Sequence, residues 1–94
     1  MNNTITVTIH DTPLGPYVDR EPVQMETTDE IEWIHADGKD FTVTFGMTKP
    51  FKRKTFNPSN SHSGKPIVHG NPKKAYKYSV KTPSGTIDPG VIVH

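Results

Sequence analysis

The feature that most constrains this chain is a strict alternation of apolar and polar residues in short segments bounded by proline and glycine. Ile5, Val7 and Ile9 alternate with polar residues in segment 4–10, and segment 41–45 repeats the pattern. A period of two places one face of a strand in a core and the other in solvent. Helix formers are scarce, with one leucine and two alanines against twelve threonines and eight valines. The sequence therefore predicts an all-β fold, a small β-sandwich with no substantial helix.

Six strands follow from this pattern, and short edge strands bring the expected total to about six to eight. The six segments are 4–10, 23–25, 30–34, 41–45, 76–80 and 91–93. Residues 36–40 have the composition of a hairpin turn. We therefore predict a β-hairpin that joins segment 30–34 to segment 41–45.

Residues 46–74 are predicted to form a long irregular loop region, because they contain four prolines and little alternation. Phe51, Phe56 and Ile67-Val68 are expected to anchor this region to the sandwich. The polar segment 57–64 is expected to be its mobile part. With 94 residues in all, residues 1–94 are expected to form a single domain.

Three of these segments together resemble the cupredoxin fold, and the resemblance spans roughly residues 20–94. They read Glu30-Ile-Glu-Trp-Ile34, Phe41-Thr-Val-Thr-Phe45 and Ala75-Tyr-Lys-Tyr-Ser-Val80. In that family a strand ending in tryptophan precedes a histidine-bearing strand, and a late strand supplies a cysteine. The tail of the chain, residues 85–93, resembles uncharacterised bacterial members that lack the copper ligands. The resemblance implies a Greek-key β-sandwich.

A blue-copper site is excluded at the same positions. Phe41 stands where the family has its first histidine ligand, and Val80 stands where it has its cysteine. Such a site needs two histidines and a thiolate, and this chain contains no cysteine. Phe41 and Val80 continue the inward apolar series of their strands, so we expect an apolar plug in place of the metal and no cofactor.

Five histidines leave a second hypothesis open, a histidine-based metal-binding or metal-handling protein. They are His10, His35, His62, His69 and His94. No two of them form an i, i+2 pair on a strand. A metal site would therefore require the fold to bring His10, His35 or His69 within about 4 Å of one another.

Enzymatic chemistry has little support in the sequence. Glu30 and Glu32 share one strand face about 7 Å apart, as paired catalytic carboxylates can, but so small a domain is expected to offer little cleft around them. The segment Ser61-His62-Ser63-Gly64 lacks the Gly-x-Ser-x-Gly context of a nucleophile. We expect a non-enzymatic protein without catalytic residues.

Charge is segregated along the chain. Residues 1–48 hold nine acidic and two basic residues, whereas residues 49–94 hold nine basic residues and one acidic residue. Such asymmetry is typical of proteins that contact a polyanion or an acidic protein surface. The alternative is that acidic and basic strands lie side by side and neutralise each other. The predicted binding residues are Lys49, Lys52, Arg53, Lys54, Lys73 and Lys74.

The expected partner is an unknown protein or a polyanion. Basic residues interleaved with Phe51 and Phe56 are typical of surfaces that stack single-stranded nucleic acid, so nucleic acid is a further candidate, though not the favoured one. No apolar run approaches the roughly 18 residues of a membrane span. The N-terminus lacks the features of a signal peptide. We expect a cytoplasmic location as written, or a periplasmic or secreted one if an upstream signal was removed. The oligomeric state has no sequence signal.

Overall fold

Residues 3–94, which are those that the computed structural model describes, form nine strands and no helix. The strands are β1 (Thr4–Thr12), β2 (Gly15–Val18), β3 (Val23–Met25), β4 (Glu30–His35), β5 (Thr42–Phe45), β6 (Thr55–Phe56), β7 (Ala75–Thr82), β8 (Gly85–Ile87) and β9 (Gly90–Val93). The predicted all-β class is confirmed. The strand total exceeds the predicted six to eight by one, and β2 and β8, with four and three residues, were not among the six predicted segments.

The strands form two sheets. The smaller sheet has the order β2-β1-β4, and β1 runs antiparallel to β2 and parallel to β4. The larger sheet has the order β3-β9-β7-β5-β6, with β8 paired to β7. In it β9 runs parallel to β3 and antiparallel to β7. Both sheets are therefore mixed, and the chain crosses between them to place parallel neighbours side by side.

The core lies between the inward faces of the two sheets. Trp33 of β4 is fully buried and meets Phe45 of β5 and Tyr78 of β7, with ring centroids 6.1 and 5.6 Å away. Phe51 and Phe56 of the loop region complete this aromatic cluster. Large aromatic side chains bury more apolar area than any others, so the cluster is the main source of cohesion between the sheets.

The predicted hairpin between β4 and β5 is wrong. β4 pairs with β1, whereas β5 pairs with β6 and β7 in the other sheet. The connection does turn, since Gly38 has a φ of 69° and donates its N–H to the carbonyl of His35 at 3.1 Å. The turn carries the chain across the core instead of back alongside β4. Alternation specifies which face of a strand is buried, but not which strand lies beside it.

The loop region 46–74 is attached to the sheets at several points. Phe51 and Phe56 are fully buried, as predicted for anchors. Ile67 is 62% exposed, so its predicted anchoring is wrong, although Val68 packs against the core from a half-buried position. Segment 57–64, expected to be mobile, is hydrogen-bonded along β4, where the Trp33 N–H donates to the carbonyl of Ser61 at 3.0 Å.

The buried phenol of Tyr78 leads to an expectation for alkaline stability. Its hydroxyl has no hydrogen-bond partner among residues 3–94, and burial raises the pKa of Tyr78 to about 12. The unfolded chain ionises this phenol near its ordinary pKa of 10.0. The unfolding free energy should therefore fall by roughly 2–3 kcal/mol as the pH rises from about 10 to about 12. Below about pH 10 the phenol is neutral in both states and makes no such contribution.

Chemical denaturation of the wild-type protein and of Tyr78→Phe at several pH values measures this effect. The phenylalanine variant has no phenol to ionise at this position, so it should lose less stability over the same interval. Parallel losses in the two proteins would show that Tyr78 is not responsible.

Candidate binding cleft

A cavity of about 710 Å³, called the cleft below, lies between two segments of the loop region, one preceding β6 and one following it. Its lining includes three basic residues, a glutamate, a histidine and two apolar residues, namely Lys52, Arg53, Lys65, Glu30, His62, Phe56 and Ile67. The expectation that so small a domain offers little cleft is therefore wrong. The volume lies within the range of roughly 300–1,000 Å³ that is usual for small-molecule sites.

The first wall of the cleft presents Lys52 and Arg53 because its two ends are anchored. Phe51 and Phe56 are fully buried on either side of the basic residues. The backbone between them is also tied to the larger sheet, where the N–H of Phe45 donates to a carbonyl of this segment at 2.7 Å. With both aromatic side chains inward, the intervening basic side chains extend into solvent.

The second wall presents Lys65 through a sharp turn. Ser63 is buried, and its hydroxyl accepts the N–H of Ile31 at 2.7 Å. Gly64 follows with a φ of 70°, a left-handed conformation that residues with a Cβ rarely adopt. Farther along, the N–H of Ile67 donates to the carbonyl of Pro50 at 2.8 Å. This last bond joins the two walls at one end of the cleft.

Within residues 3–94 the lysine and arginine side chains have no carboxylate partners. Among residues 3–94, every ion pair within 4.0 Å involves a histidine, and none involves a lysine or an arginine. Direct ion pairs between lysine or arginine and carboxylates therefore do not neutralise the charges of residues 3–94, and the alternative in which neighbouring acidic and basic strands offset each other stays a prediction. Lys52, Arg53 and Lys54 are exposed, and Lys49 is half-buried.

The acidic residues, in contrast, are used by the fold. Asp19 accepts the N–H of Thr8 at 2.9 Å, and Asp29 accepts the N–H of Glu26 at 2.9 Å. Glu21 accepts the N–H of Gly90 at 3.1 Å and so fixes the start of β9. Carboxylates that cap backbone N–H groups satisfy donors that would otherwise lack partners. These three carboxylates of the first half thus serve local structure.

The fold brings together only some of the predicted binding residues. Lys52 and Arg53 line the cleft, and Lys54 lies on the same exposed segment. Lys73 and Lys74 do not line it; they precede β7, where the Lys74 Nζ lies 5.0 Å from the ring centre of Tyr76. Lys65, which the sequence did not single out, completes the basic lining. The only feature of the sequence that pointed to Lys65 was its position in the basic second half of the chain.

The aromatic residues next to these bases are not available for stacking. Phe51 and Phe56 are both fully buried, and each contacts the indole of Trp33. Single-stranded nucleic acid is bound by stacking bases on exposed aromatic faces. The sequence argument for such stacking is therefore wrong.

The histidines are dispersed over the fold. His10 stacks on Tyr17 with ring centroids 4.7 Å apart, and His94 Nε2 lies 2.5 Å from the Gln24 side-chain oxygen. His62 lies between two carboxylates, with its Nδ1 3.4 Å from Glu30 and its Nε2 3.3 Å from Glu32. Within residues 3–94 no three histidine, aspartate or glutamate side chains are arranged to hold a metal ion. This part of the chain therefore offers no three-ligand arrangement for the metal-handling hypothesis.

A second polar cluster lies inside the fold around His35. Its imidazole is 1% exposed; Nε2 is 2.7 Å from Asp11 Oδ2, and Nδ1 accepts the N–H of Asp37 at 3.0 Å. The hydroxyls of Thr82 and Ser84 both donate to Asp11 Oδ1. Serine, aspartate and histidine are thus present, but the aspartate lies between the other two. Both ring nitrogens are occupied, so no base is placed to take the serine proton.

Comparison of the chain with protein-family models, curated proteins and solved structures gives no match. The likeness to cupredoxins therefore stays a prediction from the sequence. Over residues 3–94 the structure also contains no helix long and apolar enough to cross a membrane.

Proposed function

We propose that this protein is a non-enzymatic binding domain on a copper-less, cupredoxin-like Greek-key sandwich, and that it contacts an acidic partner through a basic surface. The basic surface consists of Lys49, Lys52, Arg53, Lys54 and Lys65. Lys73 and Lys74 flank it, since β5 ends and β7 begins at the same end of the larger sheet. The partner is an acidic protein surface or another polyanion.

One observation carries this proposal: over residues 3–94 no lysine or arginine has a carboxylate within 4.0 Å, although the chain contains ten acidic residues. Charges that a fold does not neutralise are available to attract an oppositely charged partner and to accelerate its association. Exposed ion pairs contribute little to stability, so the folded state loses little by leaving these charges unpaired. Binding an acidic partner is the use that such a surface fits best.

Heparin is a suitable first probe, because it is a polyanion without sequence. The triple variant Lys52→Gln, Arg53→Gln and Lys54→Gln should bind heparin at least about tenfold more weakly at low salt, with a shallower salt dependence. Titration calorimetry at several salt concentrations measures both quantities. The variant should remain folded, because these side chains are exposed and unpaired.

The matched control removes three positive charges elsewhere, by Lys39→Gln, Lys77→Gln and Lys81→Gln. If net charge alone governs binding, both triple variants weaken it equally, and the proposed surface is wrong. If wild-type protein fails to bind heparin and acidic peptides at low salt, the proposal as a whole is wrong.

A further inference from the structure

The cleft is built before any ligand arrives. Its walls are held by backbone hydrogen bonds, including Ile67 N–H to the Pro50 carbonyl at 2.8 Å and Ser63 N–H to the Ile31 carbonyl at 2.8 Å. Asn57 stabilises the turn that connects the walls, since its side-chain oxygen accepts the N–H groups of Ser59 and Asn60 at 2.9 and 3.0 Å. A preformed site loses less conformational freedom on binding than a loop that must fold around its ligand.

The chemistry of the lining is both cationic and apolar. Lys52, Arg53 and Lys65 supply three positive charges, and Glu30 is the one carboxylate. Both oxygens of that carboxylate already have neighbours, since the Thr4 hydroxyl donates at 3.3 Å and His62 Nδ1 lies at 3.4 Å. The cleft therefore favours an anion.

Apolar surface lies beside these charges. Ile67 is 62% exposed and forms part of the cleft lining, whereas Phe56, which also borders the cleft, is fully buried and presents no open face. The hydrocarbon stems of Lys52 and Lys65 can add apolar contact with a bound ligand, because a lysine stem can lie along apolar surface while its amine stays in water. A ligand that paired its charge with the basic residues would therefore place the rest of its body against an apolar wall.

We infer that the cleft binds one organic anion with an apolar body, such as an aryl or alkyl phosphate or carboxylate. This inference deepens the proposed function and rests on it, because the anion is either a free small molecule or the recognised side chain of the acidic partner. The chemistry is the same in both cases: the anionic group meets Lys52, Arg53 and Lys65, and the apolar body contacts Ile67.

Single-stranded nucleic acid fits the cleft less well. Glu30 lines the cleft and Glu32 lies on the other side of His62, with side chains 33% and 32% exposed, so negative charge interrupts the basic surface on that side. A groove that tracks a phosphate backbone needs continuous positive charge and exposed aromatic faces. The cleft is instead a single concave site with one charged and one apolar part.

Amide chemical shifts during titration at about 50 mM salt test this inference. Phenyl phosphate should give saturable shifts concentrated in residues 52–56 and 63–67. Inorganic phosphate should bind at least about tenfold more weakly, since it lacks the apolar body, and benzyl alcohol should give no saturable shifts because it lacks the charge. Equal binding of the two phosphates, or shifts spread over Lys77 and Lys81, would overturn the inference.

Two variants separate the charged and apolar contributions. Ile67→Ser should weaken the binding of phenyl phosphate to the level of inorganic phosphate while leaving heparin binding unchanged, and the variant should stay folded because Ile67 is exposed. Lys65→Gln should weaken both phosphates, whereas Lys77→Gln should weaken neither. If Ile67→Ser has no effect while the basic triple variant loses heparin binding, the inference fails and the proposed function stands.

The source of the anion is distinguished with phosphotyrosine. If the ligand is a side chain of a partner protein, phosphotyrosine within a short peptide should bind at least as tightly as the free amino acid. If the ligand is a free small molecule, the flanking peptide should weaken binding. Absence of cleft shifts with both forms and with phenyl phosphate would contradict the inference for either source.

Discussion

Replacing Trp33 by alanine is expected to reduce the unfolding free energy by about 3–5 kcal/mol. The indole is fully buried and contacts Phe45, Phe51, Phe56 and Tyr78, with ring centroids 4.8 to 6.4 Å away. Its removal leaves a cavity that residues from both sheets and the loop region would have to fill. For a domain of this size the melting temperature should fall by roughly 15–30 °C, which thermal denaturation followed by circular dichroism measures.

Ile34→Ala is the matched control, since Ile34 follows Trp33 on the same strand but is 39% exposed. That change should cost less than about 1 kcal/mol. Trp33→Phe tests a further point, because the buried indole N–H has no hydrogen-bond partner among residues 3–94. Phenylalanine keeps most of the ring contacts and removes the unpaired donor, so it should cost much less than alanine. Equal effects of Trp33→Ala and Ile34→Ala would contradict the central place of the aromatic cluster.

Replacing Asp11 by asparagine is expected to lower the unfolding free energy at neutral pH. The same change should reduce the further decrease in that free energy as the solution is acidified. Hydrogen bonds from Ser84 first, then from Thr82 and His35, lower the pKa of Asp11 from 3.8 to about 2. A lowered pKa in the folded state stabilises the protein above the unfolded pKa, and this contribution is lost as the pH falls from about 4 towards 2. Urea denaturation at pH 7, 4 and 2.5 measures the change.

The asparagine variant lacks the negative charge of Asp11. Its side-chain N–H₂ group is a donor, and so are the Thr82 and Ser84 hydroxyls that Asp11 accepts in the wild type. Its denaturation midpoint at pH 7 should therefore be lower, and its stability should depend less on pH between about 4 and 2. Asp40→Asn is the control for the loss of one negative charge, because Asp40 is exposed. Similar pH profiles for the two variants would show that the Asp11 cluster does not couple protonation to folding.

Two of the three basic residues that line the cleft could be found in the sequence. Lys52 and Arg53 were predicted because they belong to a dense basic run between two aromatic residues. Lys65 was missed, since it is isolated in the sequence and reaches the cleft only through the turn at Gly64 and the bond between Ile67 and Pro50. Phe51 and Phe56 were predicted to be buried as anchors, but the sequence also suggested that the same two rings stack on bases. The sequence alone does not decide between a buried and an exposed ring.

The sequence by itself determined the all-β class, the inward face of each longer strand, the absence of a thiolate copper site and the segregation of charge. Each of these depends on residue type or on a period of two, which is a local property of the chain. Only the tertiary structure decided that β4 and β5 lie in different sheets, and that Asp11 meets Ser84, 73 residues away. Only it placed Lys65 beside Lys52 and Arg53. Strand partners and distant contacts depend on how the two apolar faces pack as a whole, and alternation within one strand carries no information about that packing.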